Sequence, residues 1–529
     1  MVVQPDGKIL LGGTFTTING QPRNYIARLE PNGSVESTAT FNPGIGASAR
    51  IDTVALQADG KILLGGRFTS VGAKARNRIA RLNADGSIEN KSTFDPGTGA
   101  NGVIRSVAVQ ADGKILLGGE FTSIDGQPRN HVARLNANGR VESTATFDTG
   151  IGADNWVYCV AEQADGKILL GGEFISVNGL PRKKLARLHA NGSVESTATF
   201  DPGYGPDNFI NSLTVQTDGK ILLGGVFTNV NGLPTHYFAR LRANGGVEFT
   251  SDFDTGTGAD NAVYSVAVQA DGRILLAGQF TTVNGATHNR IARLVNDPTT
   301  ASLTVPNSAR VQWARGGAGP EVGLVTFELS TDGGATWSLL GFGTRIPGGW
   351  ERTALSLPVS GSVRARGRAV GGIYSGSSGL VENVAAFTTT LTPIAVWKLT
   401  NLADPTAPDL GDPDGDGMET LLEYGLGFPP GTASAPLAVT SFVYVDGERL
   451  RVFVQRDPAR NDVNLEVQSA NTMAGPWTTV ATSSLGTPFT GPGYVGGDSA
   501  TPGVKTVEVR DTVNVTAVSG RVLRVRVSR

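Results

Sequence analysis

Asp412, Asp414 and Asp416 stand at every second position, followed by Gly417, Met418, Thr420 and Glu423. Carboxylates spaced this way converge when the chain turns sharply, and Gly417 supplies the turn. The Met418 carbonyl, the Thr420 hydroxyl and both Glu423 oxygens complete an all-oxygen shell. A hard cation of the size of Ca2+ requires such a shell, so Ca2+ is the expected cofactor. Glu423 can reach back because Glu419 to Leu426 reads as a short helix, ended by Gly427 and Pro429-Pro430. Without a cation, four carboxylates this close would repel one another.

Elsewhere the chemistry-bearing residues are sparse. Cys159 is the only cysteine. It lies on an expected strand where sister segments carry Ser106, Ser212 and Ser265, so a small buried residue is expected rather than a nucleophile. His131, His189, His236 and His288 fall at unmatched positions, and no Ser/His/Asp or Cys/His set is suggested. Ser330 to Trp337 (STDGGATW) resembles the Asp-box hairpin of sialidases, a folding element in which Asp and Ser/Thr tie a turn over a Trp.

These residues sit on a chain of 529 amino acids with 71 glycines, 45 basic and 47 acidic residues and a net charge of −2. That length implies three or four domains. The interspersed charge carries no basic patch of the kind nucleic acid selects, and no apolar run spans a membrane.

The segment Asp-Gly-Lys-Ile-Leu-Leu-Gly-Gly recurs almost unchanged six times, at Asp6, Asp59, Asp112, Asp165, Asp218 and Asp271, with a constant period of 53 residues. A period this regular is that of one supersecondary unit stacked on copies of itself. Each repeat reads as four short strands, in the second Ile51 to Gln57, Lys61 to Phe68, Arg78 to Asn83 and Ser87 to Thr93. Ala58-Asp59-Gly60 and Ala84-Asp85-Gly86 make two of the turns. Three-residue turns place Leu56 opposite Ile62 and Arg81 opposite Glu89. The same pairing recurs at Arg28/Glu36, Arg134/Glu142, Arg187/Glu195 and Arg240/Glu248, as a cross-strand ion pair requires. Four antiparallel strands per repeat point to a propeller blade, a solenoid being the competitor.

Gln110 to Asp148 (QADGKILLGGEFTSIDGQPRNHVARLNANGRVESTATFD) is similar to bacterial delta-60 repeat proteins over residues 1–297. The resemblance implies a propeller and no established activity. The whole chain is expected to be all-β: a six-unit β-propeller (1–297, first blade incomplete), an immunoglobulin/fibronectin-like sandwich (298–390), a short helical calcium-loop linker (391–435) and a C-terminal β-sandwich-like domain (436–529). In the last domain a hairpin is expected at Asp446-Gly447, with an edge strand at Leu523 to Val527 guarded by arginines. The loop at Asp412 resembles EF-hand and dockerin-type loops, although Glu419 replaces an aliphatic residue and no second loop follows. The C-terminal segment loosely resembles β modules on Verrucomicrobia-type surface proteins, which implies a secreted or cell-surface location. The chain opens inside its first strand. A missing upstream segment with a signal peptide would account for this, as would ring closure by a strand such as Ala301 to Val305.

The long connections, such as Thr122 to Asn130 and Phe147 to Asn155, carry the differences between repeats. Trp156, Tyr204, Phe209 and Tyr264 lie in or beside them with Asp154, Asp207 and Asp260, a mixture suited to a glycan or protein ligand. The alternative is that these aromatics plug seams between blades. The expected function is a non-catalytic exported binding or adhesion protein. A polysaccharide-active enzyme or enzyme subunit, or a structural surface-layer component, are the other readings. Two facing carboxylates in a unique pocket would favour the enzyme.

Overall fold

The computed structural model describes residues 1–57, 59–249, 251–253, 256–369, 379–389, 393–402, 407–413, 418–426, 449–498, 503–513 and 521–529. They form two compact bodies. The first comprises Met1–Leu355 and Ser360–Phe387, the second Ser356–Val359 and Thr388–Arg529. The regular secondary structure of the described residues is almost entirely β-strand, with two short helices.

Each repeat is built on a three-stranded antiparallel sheet, in the second repeat Ile51–Leu56, Ile62–Gly66 and Ile79–Leu82. The register is the expected one: Leu56 pairs with Ile62, and Glu89 N–H donates to the Arg81 carbonyl at 3.0 Å. The fourth strand is shorter than expected. It survives as a single bridge, Leu82 to Ile88, repeated at Leu29/Val35, Leu135/Val141, Leu188/Val194 and Leu241/Val247. Beyond the bridge the chain curls into a tight turn, in which Phe94 N–H donates to the Asn90 carbonyl at 3.0 Å. The connection from second to third strand contains an unexpected two-residue-per-strand hairpin, Ser123–Ile124 with Gln127–Pro128 in the third repeat. Its turn residues Asp125 and Gly126 have φ of 50° and 71°, the left-handed pair that a tight hairpin needs.

The middle strand is buried on both faces in repeats two to five, so Ile-Leu-Leu runs without alternation. The following Gly-Gly lets the neighbouring segment approach. A Cβ on Gly172 would stand 2.2 Å from the Trp156 carbonyl oxygen. Five hydrophobic clusters each join one repeat to the next, as Leu10 and Ile26 pack with Ile51, Val54, Ile62 and Leu64.

No such cluster joins repeat six to repeat one among the described residues. Ile291 is 62% exposed, whereas its sister residues Ile79, Val132, Leu185 and Phe238 are buried. Ile9 and Leu11 on the first repeat are likewise only half-buried. Ala301 to Val305, the alternative for closing a ring, belongs instead to the strand Thr299–Asn307, which pairs with Arg310–Gly317. Thr299 follows the sixth repeat directly, and its strand is satisfied within the next domain.

That domain has two four-stranded sheets. The first contains Thr299–Asn307, Arg310–Gly317, Gly349–Arg352 and Thr344–Ile346; the second contains Ser338–Phe342, Val322–Ser330, Ser360–Ala369 and Leu380–Thr388. It docks on the tight-hairpin end of the repeats. Gln216 Nε2 donates to the Ala318 carbonyl at 3.0 Å, Thr217 N–H to Gly319 at 2.8 Å and Arg368 to Val3 at 2.6 Å.

In the second body, sheets of three strands enclose a core of Val454, Leu465, Val467, Val507 and Val509. The expected linker is not a free-standing connector among its described residues. A helix not foreseen from the sequence, α1 (Pro393–Leu402), opens it, and α2 (Thr420–Leu426) follows. Ile394 and Tyr424 pack with Val463, and Leu426 enters the main core. The expected hairpin at Asp446-Gly447 lies outside the described residues. The last strand, Val522–Ser528, is an edge strand, and its arginines are held by neighbours: Arg524 donates to Gln468 at 2.8 Å and lies 4.0 Å from the Trp477 ring centre.

Candidate functional site

The arginine, glutamate and phenylalanine shared by repeats one to five hold the fold. Arg187, 6% exposed, pairs in fork fashion with Glu195, 2% exposed, and stacks 4.3 Å from the Phe200 ring centre. Its remaining nitrogen donates to the Ala243 carbonyl of the next repeat at 2.7 Å, so one side chain ties sheet, turn and neighbour together. Arg28, Arg81 and Arg134 repeat these contacts, and Arg240 makes the same ion pair and ring contact. Burial alone would raise the Glu195 carboxyl, but Arg187, Thr199 and Lys167 hold it at about 2.

Residues that differ between repeats gather at the opposite end from the docked domain. In repeats two to six the first strand is bulged at its second residue, which carries four side-chain types over the five repeats: Asp52, Arg105, Tyr158, Asn211 and Tyr264. Arg105 bridges Asp52 at 3.2 Å and Glu120, and Tyr158 donates to Glu173 at 2.9 Å. Burial raises the Asp52 carboxyl against the opposing fields of Arg50, Arg105 and Arg67.

Trp156, 38% exposed, Tyr158 and Phe209 form a row with ring centres 6.2 Å apart at each step, and Lys184 Nζ lies 5.5 Å from the Phe209 ring. Two of the four aromatics named from the sequence therefore come together, joined by Tyr158. Tyr204 stands apart and is 84% exposed, and Tyr264 is half-buried on its strand. The three aspartates hold backbone. Asp154 accepts from Ile175 and Ser176 N–H at 2.9 and 3.0 Å, Asp207 from Thr228 and Asn229, and Asp260 from Thr281 and Thr282. Asn101 does the same work in the third repeat. The Thr281 hydroxyl and backbone donors hold the Asp260 carboxyl at about 2.

The other sequence candidates resolve as structural. Cys159 is fully buried, its thiol donates to the Gly171 carbonyl at 3.6 Å, and burial pushes its pKa far up. In the Asp-box hairpin, Asp332 accepts from Ser330 at 2.6 Å and from Thr336 N–H at 3.0 Å. These bonds and the Thr336 hydroxyl hold its carboxyl far below the usual range. Trp337 closes the turn by donating to the Gly334 carbonyl at 3.0 Å.

For the calcium loop, Asp414 and Asp416 lie outside the described residues. Among those described, no group of three His, Cys, Asp or Glu is placed to hold a metal. Met418, Thr420 and Glu423 are all buried, and Thr420 donates its hydroxyl to the Gly411 carbonyl at 2.9 Å. No helix among the described residues is long and apolar enough to cross a membrane.

One feature of the first body was not read from the sequence. Between the hairpin end of the repeats and the docked domain lies a cavity of about 130 Å³, lined by Ala161, Glu162, Val215, Glu321, Arg345 and Trp350. A larger cavity of about 500 Å³ shares Val109, Ala111 and Trp350 with it and adds Phe342. Where Glu162 stands, the sister repeats carry Leu56, Val109, Val215 and Val268. That departure from the repeat was the available signal.

Six segments, 4–38, 57–90, 110–144, 163–197, 216–247 and 269–297, match a domain of unknown function described as a beta-propeller (DUF5122). No curated protein matches the chain. Among solved structures, the chain is similar at 14% identity and a TM-score of 0.36 to PorZ. PorZ is an essential bacterial surface component of the type-IX secretion system of Porphyromonas gingivalis, and the match covers 74% of this chain and 51% of that one. The chain thus spans about half of that protein's length, and a likeness this distant does not define a shared activity.

Proposed function

We propose that this all-β chain of β-propeller repeats is a non-catalytic binding or adhesion protein, exported or held at the cell surface, whose second body is stabilised by calcium. The observation that carries this reading is a division of labour. Residues common to the repeats hold buried ion pairs and seams, while aromatics at one end vary from repeat to repeat, with exposed Trp156 and half-buried Phe209 joined through the buried Tyr158. An aromatic row with a neighbouring ammonium, Lys184, offers apolar area and directed polar contact to a glycan or a protein. Asp154, Asp207 and Asp260 would support this surface by holding its hairpins. The strand order of the docked domain, with consecutive pairs of strands alternating between two four-stranded sheets, fits an immunoglobulin-type sandwich.

For calcium, the donor set favours the ion. Asp412, Asp414, Asp416, the Met418 carbonyl, Thr420 and Glu423 are all-oxygen, and a fully buried carboxylate such as Glu423 is costly unless a cation or donors compensate it. Bound calcium would brace α2 against the core of the second body.

A polysaccharide-active enzyme is the second reading, favoured by Glu162 and Glu321 lining one cavity. Glu321 is held by Arg345 at 2.5 and 3.2 Å, which occupies both of its oxygens. The test is retention of the intact chain on arrayed surface glycans and proteins, with release of reducing sugar followed in parallel. Binding without release is expected, and release abolished by Glu162→Gln would establish the enzyme instead.

A further inference from the structure

The two adjoining cavities lie at the far end of the strand Val157–Glu162 from the aromatic row, and five residues along a strand separate the two places by about 16 Å. They are therefore not the surface described above.

Three observations converge there. Glu162 replaces the aliphatic residue of the other repeats, so its carboxyl is not part of the repeat's own packing. Gln110 Nε2 donates to one of its oxygens at 2.6 Å, and among the described residues no donor reaches the other. Trp350, 4% exposed, lines both cavities, and its buried indole N–H has no partner among the described residues. Glu321 and Arg345 complete the polar wall as a closed pair, while Ala161, Val215, Val322 and Val109 supply an apolar one.

The chemistry selects the ligand. A carboxyl with an open acceptor and an indole with an open donor ask for a group that both donates and accepts, which is a hydroxyl. Arg345 in the same wall disfavours a cation, and the aliphatic and aromatic wall asks for a compact apolar face. Glu162 lines the cavity of about 130 Å³; the adjoining cavity of about 500 Å³, which Trp350 also lines and whose rim carries Asp59, Lys61, Arg81 and Asp112, brings the cleft to ligand-binding size. We propose that this cleft binds a neutral pyranose, with Glu162 and the Trp350 indole N–H taking hydroxyls and Val109 and Phe342 facing the ring. Burial raises the Glu162 carboxyl, opposed by Gln110, which is consistent with a site built for a neutral ligand.

The test is isothermal titration and saturation-transfer NMR on the intact chain with D-glucose, D-galactose, N-acetyl-D-glucosamine and methylammonium chloride. At least one sugar is expected to bind saturably and methylammonium not to bind. Glu162→Val, which restores the residue of repeats three and five, should weaken the sugar by about tenfold or more, the loss of a charged hydrogen bond, with an unchanged or higher melting temperature. Trp350→Phe should weaken it as well, and Trp156→Ala should leave it unchanged. Saturable binding of none of the three sugars, preference for methylammonium, or equal binding by Glu162→Val would overturn the assignment. Loss on Trp156→Ala alone would move the sugar to the aromatic row and refute this site while sparing the binding reading.

Discussion

Replacing Glu195 by Gln should destabilise the first body while leaving its backbone in place. Glu195 is 2% exposed and receives two nitrogens of Arg187, the Lys167 ammonium at 3.2 Å and the Thr199 hydroxyl at 2.7 Å. Its carboxyl is held at about 2 against an ordinary 4.5, which at roughly 1.4 kcal/mol per pH unit corresponds to about 3 kcal/mol, or about 2 after discounting for solvent near Lys167. The variant also leaves Arg187 buried without its counter-charge, for which about 3–5 kcal/mol is typical. A loss of about 3 kcal/mol at pH 7 is expected. Because the folded carboxyl titrates below the unfolded one, the stabilisation is present above about pH 4.5 and is lost as pH falls towards 2. Urea unfolding followed by circular dichroism should therefore show parent and variant converging as pH drops through that window. Arg187→Met with Glu195→Leu should recover much of the loss, since neither charge is then stranded. A variant within about 0.5 kcal/mol of the parent at pH 7, or a gap that widens on acidification, would refute the argument that these pairs hold the repeats.

Calcium titration of the intact chain should give one site with a Kd of about 10⁻⁴ to 10⁻³ M, abolished by Asp414→Ala together with Glu423→Ala. At a hundredfold excess over Kd the ion should stabilise the second body by about 2.7 kcal/mol and leave the first unchanged. Gly172→Ala should prevent stable folding of its seam, because the added methyl meets the Trp156 carbonyl; a melting temperature equal to that of the parent would contradict this. Cys159 should resist thiol reagents in the folded chain, and Cys159→Ser, the residue of three sister repeats, should cost no more than about 1.5 kcal/mol.

The repeat, its registers and its ion pairs were legible because each is local: an Asp-Gly turn of known length determines what faces what, and six copies repeat the answer. The fourth strand is shorter than its alternating sequence predicts. Its Glu is committed to the arginine, and the chain curls away after a single bridge. The small hairpins turn at Val-Asn-Gly and Ile-Asp-Gly, a local signal that the length of these connections masks. Helix α1 could have been found from Pro393 at a first turn followed by apolar residues. Asp154, Asp207 and Asp260 looked like ligand groups because their neighbours are aromatic, yet Asn101 at the equivalent place shows what the position does. The cleft beside Glu162 depends on Trp350, far along the chain, and no local pattern relates the two.

The claim that this is a binding protein is tested most directly by arraying surface glycans and proteins, applying the intact chain with calcium, and reading bound chain and consumed ligand together. A saturable ligand retained chemically unchanged is expected, with retention that falls on Trp156→Ala at an unaltered melting temperature. Turnover of the ligand, or retention indifferent to the aromatic row and to Glu162 alike, would contradict it.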